Sequence, residues 1–360
     1  MIVNRTPLLS PAIGTQRELV SLTFGPQGAA KKIYMQASLH ADETPAMLAA
    51  TVLRKKLETL EAQRKLTAEI VLVPVANPIG LSQHVMGQFF GCFDLNGSQN
   101  FNRGVRRPSE LLTGLDGRLG DDPASNKKIV LDAMREVLDA QKPTTEFESL
   151  RVTLQKLSFD ADIVLDIHCS LEAVIHLYTT NAAWPRIEPL ARHLQSKAQM
   201  LSDDTGLGLF IEGTNLLWAD VKARFGDRYA LPEGPVAAII ECGGEREVSY
   251  ETAEHYASAI LAYLADQGAI AGSVSDAPAL LHPATQQSAS EHFYAASSGI
   301  VVYRSEIGAR VKAGDPICDI VDPISGESTT LTSHSEGMFY MRRAIRFATA
   351  GAEIGRITGG

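Results

Sequence analysis

Ile33-Tyr34-Met35-Gln36-Ala37-Ser38-Leu39 runs directly into His40-Ala41-Asp42-Glu43 and then Thr44-Pro45. The first seven residues read as a strand. Thr44-Pro45 reads as a helix start, with Thr as N-cap and Pro at the first helical position. The helix is expected to continue through Ala49, Leu53 and Leu57 to about Arg64. A strand, a polar turn and a helix in that order make one half of a βαβ unit. The other half follows at Glu69–Ala76 (EIVLVPVA), which stops at Asn77-Pro78-Ile79-Gly80. Ala161–Ile167 (ADIVLDI) and Val236–Ile240 (VAAII) are two further apolar runs of strand length. Strands of this kind alternating with helices indicate an α/β fold. Its central sheet is expected to be mainly parallel or mixed, with helices on both faces.

Outward from this frame the texture changes twice. Residues 104–160 are polar and charged, with a helix expected over Lys127–Gln141, and read as an insertion. Residues 271–290 are rich in Ala, Ser, Pro and Gln and read as a linker between a unit of residues 1–270 and one of 291–360. In the last segment Gly299–Tyr303, Pro316–Val321, Thr329–Thr332 and Gly337–Met341 are short strands separated by Gly308, Gly314 and Gly326. They predict a small all-β, barrel-like domain. Its Gly308–Asp315 stretch has the hairpin texture of biotinyl or lipoyl carriers. Lys312, however, is the one lysine after residue 290 and sits at a strand entry, so the unit is expected to cap the site rather than carry a group.

The 360 residues are 45% hydrophobic and carry 33 Lys+Arg against 42 Asp+Glu, a formal charge of −9. An acidic surface repels phosphate backbones, so nucleic acid is not an expected partner. No run of about 18 apolar residues suggests a membrane span. The N-terminus has no signal-peptide pattern. Cys92, Cys169, Cys242 and Cys318 show no paired spacing, which suits a reducing compartment, and a cytoplasmic location is expected.

Four short motifs carry chemistry. His40 and Glu43 are three apart at a strand-to-helix turn. Asp166-Ile167-His168-Cys169 ends one apolar strand, and Glu241-Cys242-Gly243-Gly244 ends another. In a parallel sheet, ligands bind beyond the carboxyl ends of the strands, so His40, His168 and Glu241 should converge. Two His and one carboxylate form a catalytic zinc set with an open fourth position, and a second carboxylate nearby can serve as base. Cys169 and Cys242 could ligate by chemistry, but each follows a site residue directly and should point the other way. In Asn100-Phe101-Asn102-Arg103-Gly104, Arg103 offers a planar fork suited to a carboxylate.

This ordered set, H-x-x-E, N-R, D-I-H and E-x-G-G, resembles the succinylglutamate desuccinylase/aspartoacylase family of the zinc carboxypeptidase group. The resemblance covers roughly residues 30–265 and, more loosely, the C-terminal β unit. It implies one zinc per chain held by His40, Glu43 and His168, with Asn102 and Arg103 on a substrate carboxylate and Glu241 activating water. The implied activity is a zinc-dependent amidohydrolase that deacylates an N-acyl amino acid or related small molecule. The alternatives are a metallocarboxypeptidase acting on short peptides and a non-catalytic zinc or small-molecule binding protein. Two features depart from the family pattern. The D-L-N-R run is replaced by Asp94-Leu95-Asn96-Gly97, with Asn-Arg only at 102–103. The carbonyl-polarising Arg is also absent between Asn77 and Asn102, leaving His84, Gln88, Arg106 or Arg107 as stand-ins. Tyr294, Tyr303 and Tyr340 are the tyrosines the β unit could offer to a substrate. The acyl group, the amino acid and the oligomeric state, homo-oligomer included, stay open.

Overall fold

The computed structural model describes residues 1–105, 107, 110–272 and 276–359. Arg106 therefore lies outside the described residues, as does part of the expected linker. A nine-stranded sheet forms the centre. Its strands in spatial order are Ile2–Pro7, Glu18–Phe24, Glu69–Val73, Lys32–Ala37, Ile163–Ser170, Val236–Gly244, His176–Thr179, Ala198–Leu201 and Thr285–Gln286. The four strands from Glu69–Val73 to Val236–Gly244 are mutually parallel. Antiparallel neighbours flank them on both sides, so the sheet is mixed with a parallel heart.

Alternation along the strands assigns each side chain to a face. Ile163, Leu165, Ile167 and Cys169 face one core, together with Ala238, Ile240 and Cys242. The helices Thr44–Ala62, Trp184–Leu194 and Tyr250–Asp266 cover that side. Val164, Ala237 and Ile239 face the other core, under Phe147, Leu150 and Leu154 of the helix Glu146–Ser158 and under Phe210 and Ile211 of the helix Phe210–Phe225. Residues 146–158 were expected inside a polar insertion, yet their apolar stripe covers the sheet. The helix Pro123–Ala140 packs outside them through Val130, Met134 and Leu138 against Trp218, Val221 and Phe225.

The C-terminal residues build two small antiparallel sheets. Phe293, Val301, Ile317, Ile320, Phe339 and Ile354 from both sheets fill one shared core. The unit is attached to the main sheet through Glu172–Ala173, which pairs antiparallel with Met341–Arg342 just beyond the Ile163–Ser170 strand. No helix among the described residues is long and apolar enough to cross a membrane.

The turn after Lys32–Ala37 is strained. Ser38 has φ 62° and is fully buried, and its hydroxyl has no partner. A left-handed conformation costs a Cβ-bearing residue about 1–2 kcal/mol, and an unpaired buried hydroxyl adds to that. Ser38→Gly removes both, against a smaller loss from the freer unfolded chain. The variant is expected to gain about 0.5–1.5 kcal/mol, read as a higher midpoint in chemical denaturation.

Candidate active site

The sheet register places the site. Glu241 is the direct cross-strand partner of His168, and Asp166 that of Gln36. All four side chains lie on the face of Val164 and Ala237, one row above another. Both strands run on past the site, to Ser170 and Gly244, so His168 and Glu241 sit within the last residues of strands rather than after them. Cys169 and Cys242 point into the opposite core, as alternation requires.

Glu43 lies between the two histidines. Its Oε1 is 2.9 Å from His40 Nδ1 and its Oε2 is 2.8 Å from His168 Nδ1. The Cys169 backbone N–H donates to the same Oε2 at 3.0 Å. The expected cap at the following helix is corrected by this geometry. The N-cap residue is Glu43, not Thr44, and it makes no side-chain cap bond, because its carboxylate is turned to the imidazoles.

The far side of each ring faces polar groups. His40 Nε2 lies 3.0 Å from Asn100 Oδ1, which also accepts from the Asn102 N–H at 2.8 Å. His168 Nε2 lies 3.0 Å from Asp166 Oδ2. Asp166 Oδ1 accepts from Gln36 Nε2 at 2.9 Å, and Gln36 Oε1 accepts from the Tyr34 hydroxyl at 2.7 Å. Asn102 Nδ2 is hydrogen-bonded to the same His168 Nε2 at 3.4 Å, and Asp166 Oδ2 itself makes no hydrogen bond. The Nδ1 atoms of both rings face Glu43 at hydrogen-bond distance.

Two imidazole nitrogens and the carboxylate between them are groups of the kind that hold a metal ion. Without a metal, the charges of the cluster hold one another. Burial opposes charge on His40 and His168, yet Glu43, and for His168 first Asp166, hold both imidazoles well above their usual value. Burial would raise the Glu43 carboxyl, but His168 and then His40 outweigh it and bring it to about 2. The donors, two imidazole nitrogens and one carboxylate, suit zinc. Cys92, which the sequence reading left aside, also lies near, and His40, Glu43 and Cys92 form a possible metal-holding group among the described residues. Its thiol points to Asp42 Oδ1 at 3.3 Å; burial raises its pKa and His40 beside it lowers it.

Glu241 stands beside this cluster. Its Oε2 is buried without a hydrogen-bond partner. Burial first, and the Glu43 charge second, raise its carboxyl to about 7.

The departure at residues 94–97 has a local cause. Asp94 closes a turn on itself, accepting from the Gly97 N–H at 2.8 Å and donating its own N–H to Gln99 O at 2.8 Å. The extra residues are looped out, and the chain returns to deliver Asn100, Asn102 and Arg103. Asn102 Oδ1 accepts from the Phe210 N–H at 2.8 Å, which ties the loop to the start of a sheet-covering helix. Arg103 donates to Asn102 O at 2.7 Å and lines the cavity.

That cavity, about 640 Å³, is lined by His40, Glu43, His168, Glu241 and Arg103 on the main sheet side. The C-terminal unit adds His292, Met341, Glu353 and Arg356. Arg356 was not expected. It is fixed by Glu353 through bonds of 2.7 and 2.8 Å, and it is close enough to Arg103 for the two charges to repel. Of the suggested stand-ins for the missing Arg, the described ones lie elsewhere. His84 stacks on Phe89 in an exposed hairpin with Gln88, and Arg107 pairs with Asp204 and Asp220. Of the tyrosines, Tyr178 of the main sheet reaches the cavity. Tyr294 is exposed, Tyr303 bonds to Ile354 O at 2.6 Å, and Tyr340 is buried against His176.

The profile of the succinylglutamate desuccinylase/aspartoacylase catalytic domain matches residues 29–267, and the chain belongs to that family of deacylating hydrolases. A Shewanella amazonensis SB2B protein assigned to the same family shares 25% identity, covering 99% of this chain and 98% of its own, with a TM-score of 0.85. A Shewanella frigidimarina NCIMB 400 protein given that family name shares 21% identity over 100% and 97% of the two chains, with a TM-score of 0.86. The product-bound ectoine utilization protein EutE (DoeB) of Ruegeria pomeroyi shares the fold at 14% identity, over 99% and 93%, with a TM-score of 0.67. No curated protein matches the chain.

The C-terminal wall is held by charge as well as by strand pairing. Glu172 accepts from Arg342 Nε at 2.7 Å and from Arg346 Nη2 at 2.6 Å, and both guanidiniums lie over the Tyr303 ring. Glu172→Ala leaves two neighbouring cations without their shared acceptor. It is expected to cost about 1.5–3 kcal/mol, measured as a lower unfolding midpoint that Glu172→Gln restores only in part.

Proposed function

We propose that the chain is a zinc-dependent amidohydrolase that deacylates an N-acyl amino acid or a related small molecule bearing a carboxylate. One zinc per chain is held by His40, Glu43 and His168. The observation that carries this reading is the Glu43 carboxylate bridging the Nδ1 atoms of His40 and His168 at 2.9 and 2.8 Å, beside a second buried carboxylate with an unused oxygen.

When bound, zinc lowers the pKa of water to about 7 and polarises a carbonyl oxygen. Asp166 and Asn100 keep the two rings oriented, and the Gln36–Tyr34 chain keeps Asp166 oriented. Glu241, free at Oε2, accepts the proton of the attacking water and returns it to the leaving nitrogen. Arg103 holds the substrate carboxylate with its planar fork, and Asn102 fixes the loop that carries it. The wall contributed by His292, Met341, Glu353 and Arg356 favours a small substrate over a peptide. A binding protein has no use for an unpaired buried Glu241, whose desolvation is costly.

Metal content separates the two candidate donor sets. His168→Ala should lose zinc, while Cys92→Ser should keep one zinc per chain, both read by elemental analysis after dialysis. Zinc retained without His168 and lost without Cys92 would replace the donor set proposed here.

Glu241→Gln keeps the shape and removes the base. The variant should bind zinc normally and lose roughly a hundred- to ten-thousand-fold in kcat. Near-normal turnover of the zinc-loaded variant would exclude Glu241 as the base.

A further inference from the structure

The walls of the cavity differ in chemistry. Among the described lining residues the guanidiniums are Arg103 and Arg356, and no lysine joins them. The two stand near one another, and Arg356 is already neutralised by Glu353. This arrangement leaves charge for one carboxylate. Asp42 and Glu245 also line the cavity. A second substrate carboxylate on that side would meet negative charge.

The mouth is apolar. Phe93, Leu171 and Leu207 line the same cavity and are 52%, 43% and 48% exposed. Leu209 and Met341 lie half-buried in its walls. Large apolar side chains gathered at the opening of a polar cavity mark a contact surface for a ligand.

We infer that the substrate carries a single carboxylate and an apolar group, not carboxylates at both ends. The inference rests on the deacylase reading. The carboxylate sits at Arg103, and the apolar group leans on Phe93, Leu171 and Leu207. It can belong to the amino-acid side chain or to the acyl chain, and the same contacts serve either.

Steady-state kinetics of the zinc-loaded full chain test this with two matched pairs. N-acetylleucine against N-acetylaspartate varies the side chain, and N-hexanoylglycine against N-succinylglycine varies the acyl group. In at least one pair the apolar member should have a kcat/KM about tenfold or more above its diacid partner. Leu207→Ala and Phe93→Ala should each shrink that ratio by about three- to tenfold, through KM. A diacid preferred in both pairs, or a ratio that neither variant moves, would overturn the inference and leave the deacylase reading standing. If the zinc-loaded chain turns over none of the four, the deacylase reading fails by itself. Calorimetric binding of the same four compounds then decides the preference. Tighter binding of an apolar member upholds it, and tighter or equal binding of the diacids overturns it.

Discussion

The Glu43 carboxylate, caught between two imidazole nitrogens, is the interaction on which the site depends. It draws together three separately built parts. His40 and Glu43 come from the turn after one parallel strand, His168 from the end of the next strand, and Asn100 from a loop that closes on itself. Each ring also has a hydrogen-bond partner at its far nitrogen, Asn100 for His40 and Asn102 for His168. On the proposed reading this fixed placement is the preorganisation of a metal site. The same turn carries a residue in left-handed conformation and a helix whose N-cap side chain does no capping. Local stability is given up where the cluster is assembled.

Much of this was legible in the sequence, because it rests on period and order. The strands around Ile33, Ile70, Val164 and Ala238 are apolar runs with clear stops, and alternation then fixes His168 and Glu241 on one face and Cys169 and Cys242 on the other. Gln36 and Asp166 could have been singled out by the same rule. Each is a polar residue in an apolar strand on the face of the site, and an unpaired polar group there is costly. Arg356 and Tyr178 had no such signal. Arg356 reaches the cavity only because a separate β unit docks against the main sheet. Tyr178 reaches it because its strand runs antiparallel beside Val236–Gly244. Neither pairing has a local trace. The helix Glu146–Ser158 was hidden for a different reason: its apolar stripe of Phe147, Leu150 and Leu154 is narrow and set among charges.

The departures from the family pattern also have structural consequences. The looped-out residues after Asp94 leave the Asn-Arg pair in place beside His168, so that change is one of loop length and not of site composition. The missing Arg is not replaced by His84, Gln88 or Arg107, which lie elsewhere or are engaged in other pairs. The second guanidinium in the cavity instead comes from the C-terminal unit, already paired with Glu353. On the proposed reading, this distribution of charge suits a substrate with one carboxylate.

X-ray absorption at the zinc edge of the metal-loaded chain tests the central assignment most directly. The proposed set of His40, Glu43 and His168 predicts nitrogen and oxygen neighbours at about 2.0–2.2 Å, with imidazole outer-shell scattering and no sulfur. A sulfur neighbour at about 2.3 Å would put Cys92 in the coordination shell and contradict the assignment.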